Sequence, residues 1–344
     1  MNISQQNIYN NWMEYTLAND HGMSVKILNY GGIITEMKVP DKDDKPENVV
    51  LGYKDVANYK DNPNFFGAII GRVAGRIEHA SFSLGGQTYQ LEKNEAPHHL
   101  HGGSHGFHSV TWDAKPFRND QAVGVKLSYT SPDKDGGYPG RVLVNMTYTL
   151  YATENKLELD YQGTTDQITP LTLTNHSYFN LSGDLQSTVD NHHVTFTAPR
   201  VLELDGALIP TGKTFTAAGT NFDFSGGRKL CDGFTDSIEQ NRIAGGGYDH
   251  YFIWDNQPKK VVVHEPNAGR FLTIETSQPG MVMYTGNGLG DGIALKGGSS
   301  RKHLGVCFET QASPASLHHH GIPGIMLNPG ETYHQQTAYT FTTE

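Results

Sequence analysis

The chain predicts an all-β protein, a large antiparallel β-sandwich, and it does so on three observations. Helical periodicity is scarce, apolar residues recur instead at every second position, and short glycine-rich turns separate the runs. Alternation is informative because successive side chains of a strand point to opposite faces. A strand with one face in the core and one in water therefore reads apolar, polar, apolar.

In chain order, residues 24–29 and 33–39 are the first short strand candidates. Gly85-Gly86 separates 81–84 from 87–91 as a two-residue hairpin loop that tolerates positive φ. Val123, Val125, Leu127 and Tyr129 fall on one face of a strand. The same holds for Val142, Val144, Met146, Tyr148 and Leu150 and, beyond a turn at 152–155, for Leu157, Leu159 and Tyr161. Residues 171–174 are strand-like, and 261–264, 271–276, 281–284 and 305–309 complete the set. Residues 54–64 and 202–236 resist assignment and read as loop with at most one short helix. With no compositional linker and no internal repeat, a single domain over 1–344 is the simpler organisation.

At 344 residues the chain can bury roughly three quarters of the surface its unfolded form exposes. Acidic side chains outnumber basic ones, 36 to 26, and no block of Lys and Arg interrupts them, which argues against nucleic acid as a partner. Residues 1–20 lack an apolar run behind a basic start, and no stretch approaches the ~20 apolar residues of a membrane span. Two cysteines, Cys231 and Cys307, are too few for a disulfide framework and fit reduced thiols in a cytoplasm.

Seventeen histidines raise the question of metal. His99 and His101 would share one strand face, the start of many metal sites, but Gly102, Gly103, Ser104, His105 and Gly106 follow where a carboxylate ligand is wanted. His318 to His320 form a polar run, and neither H-E-x-x-H nor paired C-x-x-C occurs. The histidines are expected to serve as surface and hydrogen-bonding groups, with no metal.

A sharper constellation is Asn175-His176-Ser177-Tyr178-Phe179-Asn180, a polar cluster closing an apolar run. It marks either a site or a histidine bonded to a backbone carbonyl. Glu309 ends an apolar strand candidate, where a carboxylate is costly without partners and so is either paired or functional. Arg72 and Arg76 each present a planar donor fork beside a glycine. Asp249 could accept from sugar hydroxyls or simply be solvated in a turn, and the many aromatic side chains suit either a sugar face or a core.

Taken together these segments resemble the aldose 1-epimerase (galactose mutarotase) family. The resemblance rests on Gly71 to Ile77, His99-Leu100-His101-Gly102-Gly103 with Gly106-Phe107 and Trp112, Gly136 to Gly140, Thr174 to Asn180, Gly247 to His250, Gln278-Pro279-Gly280 with Tyr284 to Asn287, Phe308 to Gln311, and Leu327 to Glu331. Singly these motifs are loose; in register over nearly the whole chain they are specific. The resemblance implies a large β-sandwich, the supersandwich of galactose mutarotases, with its site in a cleft on one sheet. By position it makes Glu309 the general base, His176 the general acid and His101 a second histidine near the ring oxygen. Arg76 and Asp249 would hold sugar hydroxyls beside Tyr178, leaving Arg72 structural. Gly75 stands where relatives often carry asparagine, and Val282 where many place a glutamine, so fine specificity is open.

The implied activity interconverts the α and β anomers of a free hexose such as galactose or glucose. One base and one acid suffice for it, and no cofactor is called for. An ionised Glu309 beside a cationic His176 is accessible close to neutral pH, more so where each favours the other's charge. A hexose is thus the expected partner, to a monomer or homodimer. A hexose-6-phosphate epimerase of similar fold would want a basic cluster at the cleft mouth, and beyond Arg72 and Arg76 none is evident. A non-catalytic sugar-binding module would not need both His176 and Glu309.

Overall fold

The computed structural model describes residues 1–255 and 259–344, which form three main antiparallel sheets. The largest has nine strands in the spatial order Asp113–Arg118, Ala122–Ser131, Val142–Tyr151, Lys156–Thr165, Tyr333–Thr343, Arg270–Thr276, Lys260–Glu265, His193–Thr195 and Arg228–Lys229. A six-stranded sheet runs Tyr178–Phe179, Val306–Gln311, Gly280–Tyr284, Asp249–Ile253, Arg200–Leu204 and Pro210–Thr216. The third follows chain order: Asn2–Tyr9, Trp12–Ala18, Ser24–Leu28, Ile34–Pro40 and Pro46–Asn48.

The alternation read from the sequence is what builds the nine-stranded sheet. Val144 pairs with Tyr129 on one side and Gly163 on the other, and Val142, Val144, Met146, Tyr148 and Leu150 all point inward with no exposure. Leu143, one position out of phase, is 44% exposed. Gly85 and Gly86 take φ of 59° and 80°, the positive values a two-residue hairpin loop needs, between Ser81–Leu84 and Gln87–Gln90.

One apolar cluster joins the sheets: Tyr15 and Leu17 from the third, Val123 and Leu159 from the nine-stranded, Phe252 and Phe308 from the six-stranded. The Thr310 and Thr337 hydroxyls, 2.7 Å apart, add a hydrogen bond between the two larger sheets. Arg270 fixes the third sheet to them. Its buried guanidinium donates to the carbonyls of Pro40, Leu181 and Ser182 and to the Glu47 carboxylate, so the desolvated charge is compensated on every side.

Three expectations need correction. Residues 202–236 are not loop alone; they carry the end of Arg200–Leu204, all of Pro210–Thr216 and Arg228–Lys229, while the only α-helix among the described residues is Glu239–Ile243. Pro210 and Gly212 concealed an edge strand, the one place in a sheet that tolerates such residues. The strand assigned to 305–309 runs from Val306 to Gln311, so Glu309 lies inside it. Of the strand-like run 171–174, only Thr174 belongs to a strand, the two-residue Thr174–Asn175 paired with Ile69–Ile70.

The six-stranded sheet uses its two faces differently. Val306, Phe308, Met281, Met283 and Phe252 point into the common core. Their neighbours in sequence, Glu309, Gln311, Val282, Tyr284, Asp249 and Tyr251, line a cavity on the opposite face. Strand pleating alone thus places a row of functional side chains opposite a row of apolar anchors.

Candidate active site

The cavity encloses about 460 Å³. Glu309 forms its floor, opposite Val282 in the neighbouring strand and only 3% exposed. His176 reaches Glu309 from the chain crossing above, with Nε2 3.5 Å from Oε1. Backbone bonds on both sides of His176 hold that crossing: its N–H donates to Ala68, and its carbonyl accepts from Gly67.

His101 is placed by a turn that only glycine can follow. A side chain at Gly102, where φ is +86°, would put its Cβ 1.9 Å from the Gly71 carbonyl oxygen. The Gly75 N–H donates to His101 Nδ1 at 3.1 Å, while the His101 N–H donates back to the Gly75 carbonyl. That bond selects the tautomer, because a ring nitrogen that accepts leaves the neutral imidazole's proton on Nε2. The rings of His101 and His176 meet edge to face at 5.4 Å, and Phe65 packs against both. Tyr178 covers the far side of His176 at 5.1 Å.

Arg76 and Asp249 stand on the other wall. Glu95 grips Arg76 in a bidentate pair, 2.7 Å from Nε and 2.9 Å from Nη2, which leaves Nη1 toward Asp249 at 3.7 Å. Arg72, four positions earlier in the same motif, does not reach the cavity. It is 2% exposed and donates to the Ser131 hydroxyl and to the carbonyls of Ser131, Pro132 and Pro139.

Burial decides the charges. It pushes the Glu309 carboxyl up to about 8; the Asp249 carboxylate adds to that rise and Arg76 opposes it. Burial also takes His176 down to about 4, His101 well below its ordinary value, and Asp249 upward, the last against the pull of Arg76. Burial therefore favours the neutral forms, a protonated Glu309 carboxyl beside a neutral His176 imidazole, over the ionised pairing that the sequence made accessible. Both arrangements hold the same number of protons, so passing between them is a transfer across the 3.5 Å gap.

The carboxylate missing near His101 in sequence is supplied in space by Glu309. One ligand atom each from His101, His176 and Glu309 lie within 4.8 Å of one another. This donor set is a poor fit to a cation, because the Gly75 N–H occupies His101 Nδ1 and the other nitrogen carries the proton.

Every site residue named from the sequence, Glu309, His176, His101, Arg76, Asp249 and Tyr178, lines this one cavity. Sequence reasoning missed Glu95 and Phe65. Glu95 is an acidic loop residue with no pattern around it, and Phe65 lies just past a stretch read as loop, at a φ of +55°. Tyr284 and Asn287 sat inside a quoted motif without an assigned part and also line the cavity.

Comparison with known proteins identifies the family. The family model described as "Aldose 1-epimerase" matches residues 13–340. The chain is 37% identical over 333 residues to the galactose mutarotase of Bos taurus, covering 96% of this chain and 94% of that one. It is 32% identical over 335 residues to the aldose 1-epimerase of Escherichia coli K12, covering 96% and 95%. The crystal structure of galactose 1-epimerase from Lactobacillus acidophilus superposes with a TM-score of 0.87 at 28% identity, over 99% of this chain and 98% of that one. A family model that matches nearly the whole chain, with relatives 32% and 37% identical over 96% of it, makes this chain a member of the aldose 1-epimerase family.

Proposed function

We propose that this mutarotase acts on free hexoses such as galactose and glucose, with Glu309 as base and His176 as acid. The carrying observation is the 3.5 Å approach of His176 Nε2 to Glu309 Oε1 in a buried cavity. Glu309 takes the proton of the anomeric hydroxyl while His176 Nε2 gives one to the ring oxygen, and the bond between the anomeric carbon and that oxygen breaks. The freed aldehyde rotates about its bond to the next carbon. The ring oxygen then attacks the other carbonyl face as both protons return. Opening consumes the ionised form of the pair, and the substrate favours that form: an anomeric hydroxyl donates to a carboxylate, and the ring oxygen accepts from an imidazolium.

Positioned proton transfer supplies ~10² to ~10⁴-fold. Arg76, Asp249, Tyr178 and the Nε2–H of His101 anchor hydroxyls and the ring oxygen, so the open aldehyde recloses before it leaves. The chemistry needs no cofactor. We place the protein in the cytoplasm as a single domain over 1–344, a monomer or homodimer; free thiols at Cys231 and Cys307 and one core cluster drawn from all three sheets support this. Among the described residues no helix is long and apolar enough to cross a membrane. Polarimetry tests the activity: purified protein should speed the relaxation of freshly dissolved α-D-galactose and α-D-glucose to their equilibrium rotations. Relaxation at the buffer rate for both sugars would overturn the substrate assignment.

A further inference from the structure

Cys307 is a buried thiol that the reaction above does not use. It lies two positions before Glu309 in Val306–Gln311, so both side chains leave the strand on the same face. The His176 ring spans the two. Its Nε2 faces Glu309 at 3.5 Å, and its Nδ1 lies 3.6 Å from Cys307 Sγ. Tyr178, the cross-strand partner of Cys307, closes the ring from the side.

The sulfur cannot act as a charge here. Burial holds the thiol well above its ordinary range, so it stays protonated and unreactive. What remains is a soft, neutral hydrogen-bond partner. In the acid role His176 loses the Nε2 proton and keeps the one on Nδ1, and in the resting pair a neutral imidazole whose Nε2 accepts the Glu309 O–H likewise keeps its proton on Nδ1. Both states ask the same of Cys307, an acceptor for Nδ1–H.

We propose that Cys307 is a positioning residue for His176: its sulfur accepts Nδ1–H, fixes the ring tautomer and reserves Nε2 for proton exchange with Glu309 and the sugar. A carboxylate in that place would hold the imidazole proton tightly. A thiol orients the ring and leaves it a readily dissociating acid. The other titratable groups around the ring are Glu309, His101 and Tyr178, with His108 behind Phe65.

The proposal rests on the reading of His176 as the acid, and its test separates the two. Nitrogen-15 spectra of histidine-labelled protein report the His176 tautomer without reference to turnover. The wild type should show the Nδ1–H form, and Cys307→Ala a mixture of both forms. In folded protein, kcat of Cys307→Ala should fall about threefold to tenfold, the range one modest hydrogen bond supplies, with KM little changed and the acid limb of the pH profile displaced. Cys307→Ser, whose hydroxyl also accepts, should recover part of the loss. An Nε2–H tautomer in the wild type, or a Cys307→Ala variant with unchanged spectrum, kcat and pH profile, would overturn it. Retained activity in His176→Asn would instead strike the acid assignment and leave the tautomer result standing.

Discussion

The nine-stranded and six-stranded sheets share one core and one pairing pattern but differ in what their outer faces are for. Val142–Tyr151 buries Val144, Met146 and Tyr148 completely and shows its alternate residues to solvent, so every side chain serves stability or solubility. Val306–Gln311 buries both faces; Glu309 and Gln311 line the cavity, with Cys307 in phase with them but packed in an apolar cluster. Polar groups there cost folding free energy that the Val306 and Phe308 face must offset. The sheet that lines the cavity is thus a structural sheet with one face turned against its own stability.

The largest effect expected from this contrast is at Glu309. Glu309→Gln keeps shape and loses proton acceptance, so kcat should fall on the order of 10²-fold or more, as should His176→Asn. The double variant should be far less impaired than the product of the single losses, because one broken proton path leaves little for a second to remove. Polarimetry on variants with confirmed circular dichroism checks this, and near-normal rotation by folded Glu309→Gln would remove the mechanism.

The same substitution should stabilise. A carboxyl lifted to about 8 in the fold binds its proton more tightly than the unfolded chain does, so its contribution is most favourable at acid pH and is lost as pH rises toward 8. Melting scans should show Glu309→Gln gaining ~2 °C or more over wild type at pH 9 and less at pH 5. Met146→Ala on the structural sheet should do the reverse, losing ~2–5 kcal/mol of stability with the kcat of folded protein unaltered. A Glu309→Gln protein less stable than wild type at pH 9 would break the contrast.

Next comes the pH profile, bell-shaped between about 4 and about 8. The acid limb arises when a second proton charges His176, and the basic limb when the shared proton leaves the carboxyl, though the apparent values belong to the pair. A lone limb would contradict a two-group site.

Smaller still is the divide between the two arginines. Arg76→Lys keeps charge but loses the fork held by Glu95, so kcat/KM should fall about tenfold with the fold intact. Arg72→Lys should leave kinetics closer to wild type and lower Tm instead, since its four donor contacts are internal. Equal kinetic losses would erase the distinction. The smallest effect is none: exhaustive chelation should leave activity unchanged, and loss with recovery on added zinc would show that the His101, His176 and Glu309 donors take a metal after all.

The structural sheet was legible because one wet face writes period two into the sequence, as at 142–150. Val306–Gln311 was legible only as an apolar run, since burial on both faces removes the contrast and left Glu309 at an apparent strand end. Asn2–Tyr9 and Trp12–Ala18 escaped, the first because its edge position leaves it polar on both sides. Tyr333–Thr343 escaped because Gln335 and Thr337 occupy inward positions that usually announce themselves with apolar residues. The site residues were recognised as motifs, but their assembly was not. No motif in the sequence joins Glu95 to Arg76, which the pairing of Arg76–Ile77 with His99–Leu100 brings together, or Cys307 to His176, which meet only once the six-stranded sheet has formed.

That closure has an order in time. Tyr333–Thr343 lies between Lys156–Thr165 and Arg270–Thr276, in the interior of the nine-stranded sheet, yet it is the last of those strands to leave a ribosome. Until it arrives, the growing chain carries two half-sheets, each with a long unpaired edge ready to recruit a neighbour. A nascent polypeptide stalled short of Tyr333 holds nearly all its core residues but lacks the strand that pairs the two half-sheets, so it is at its most adhesive just before that strand emerges.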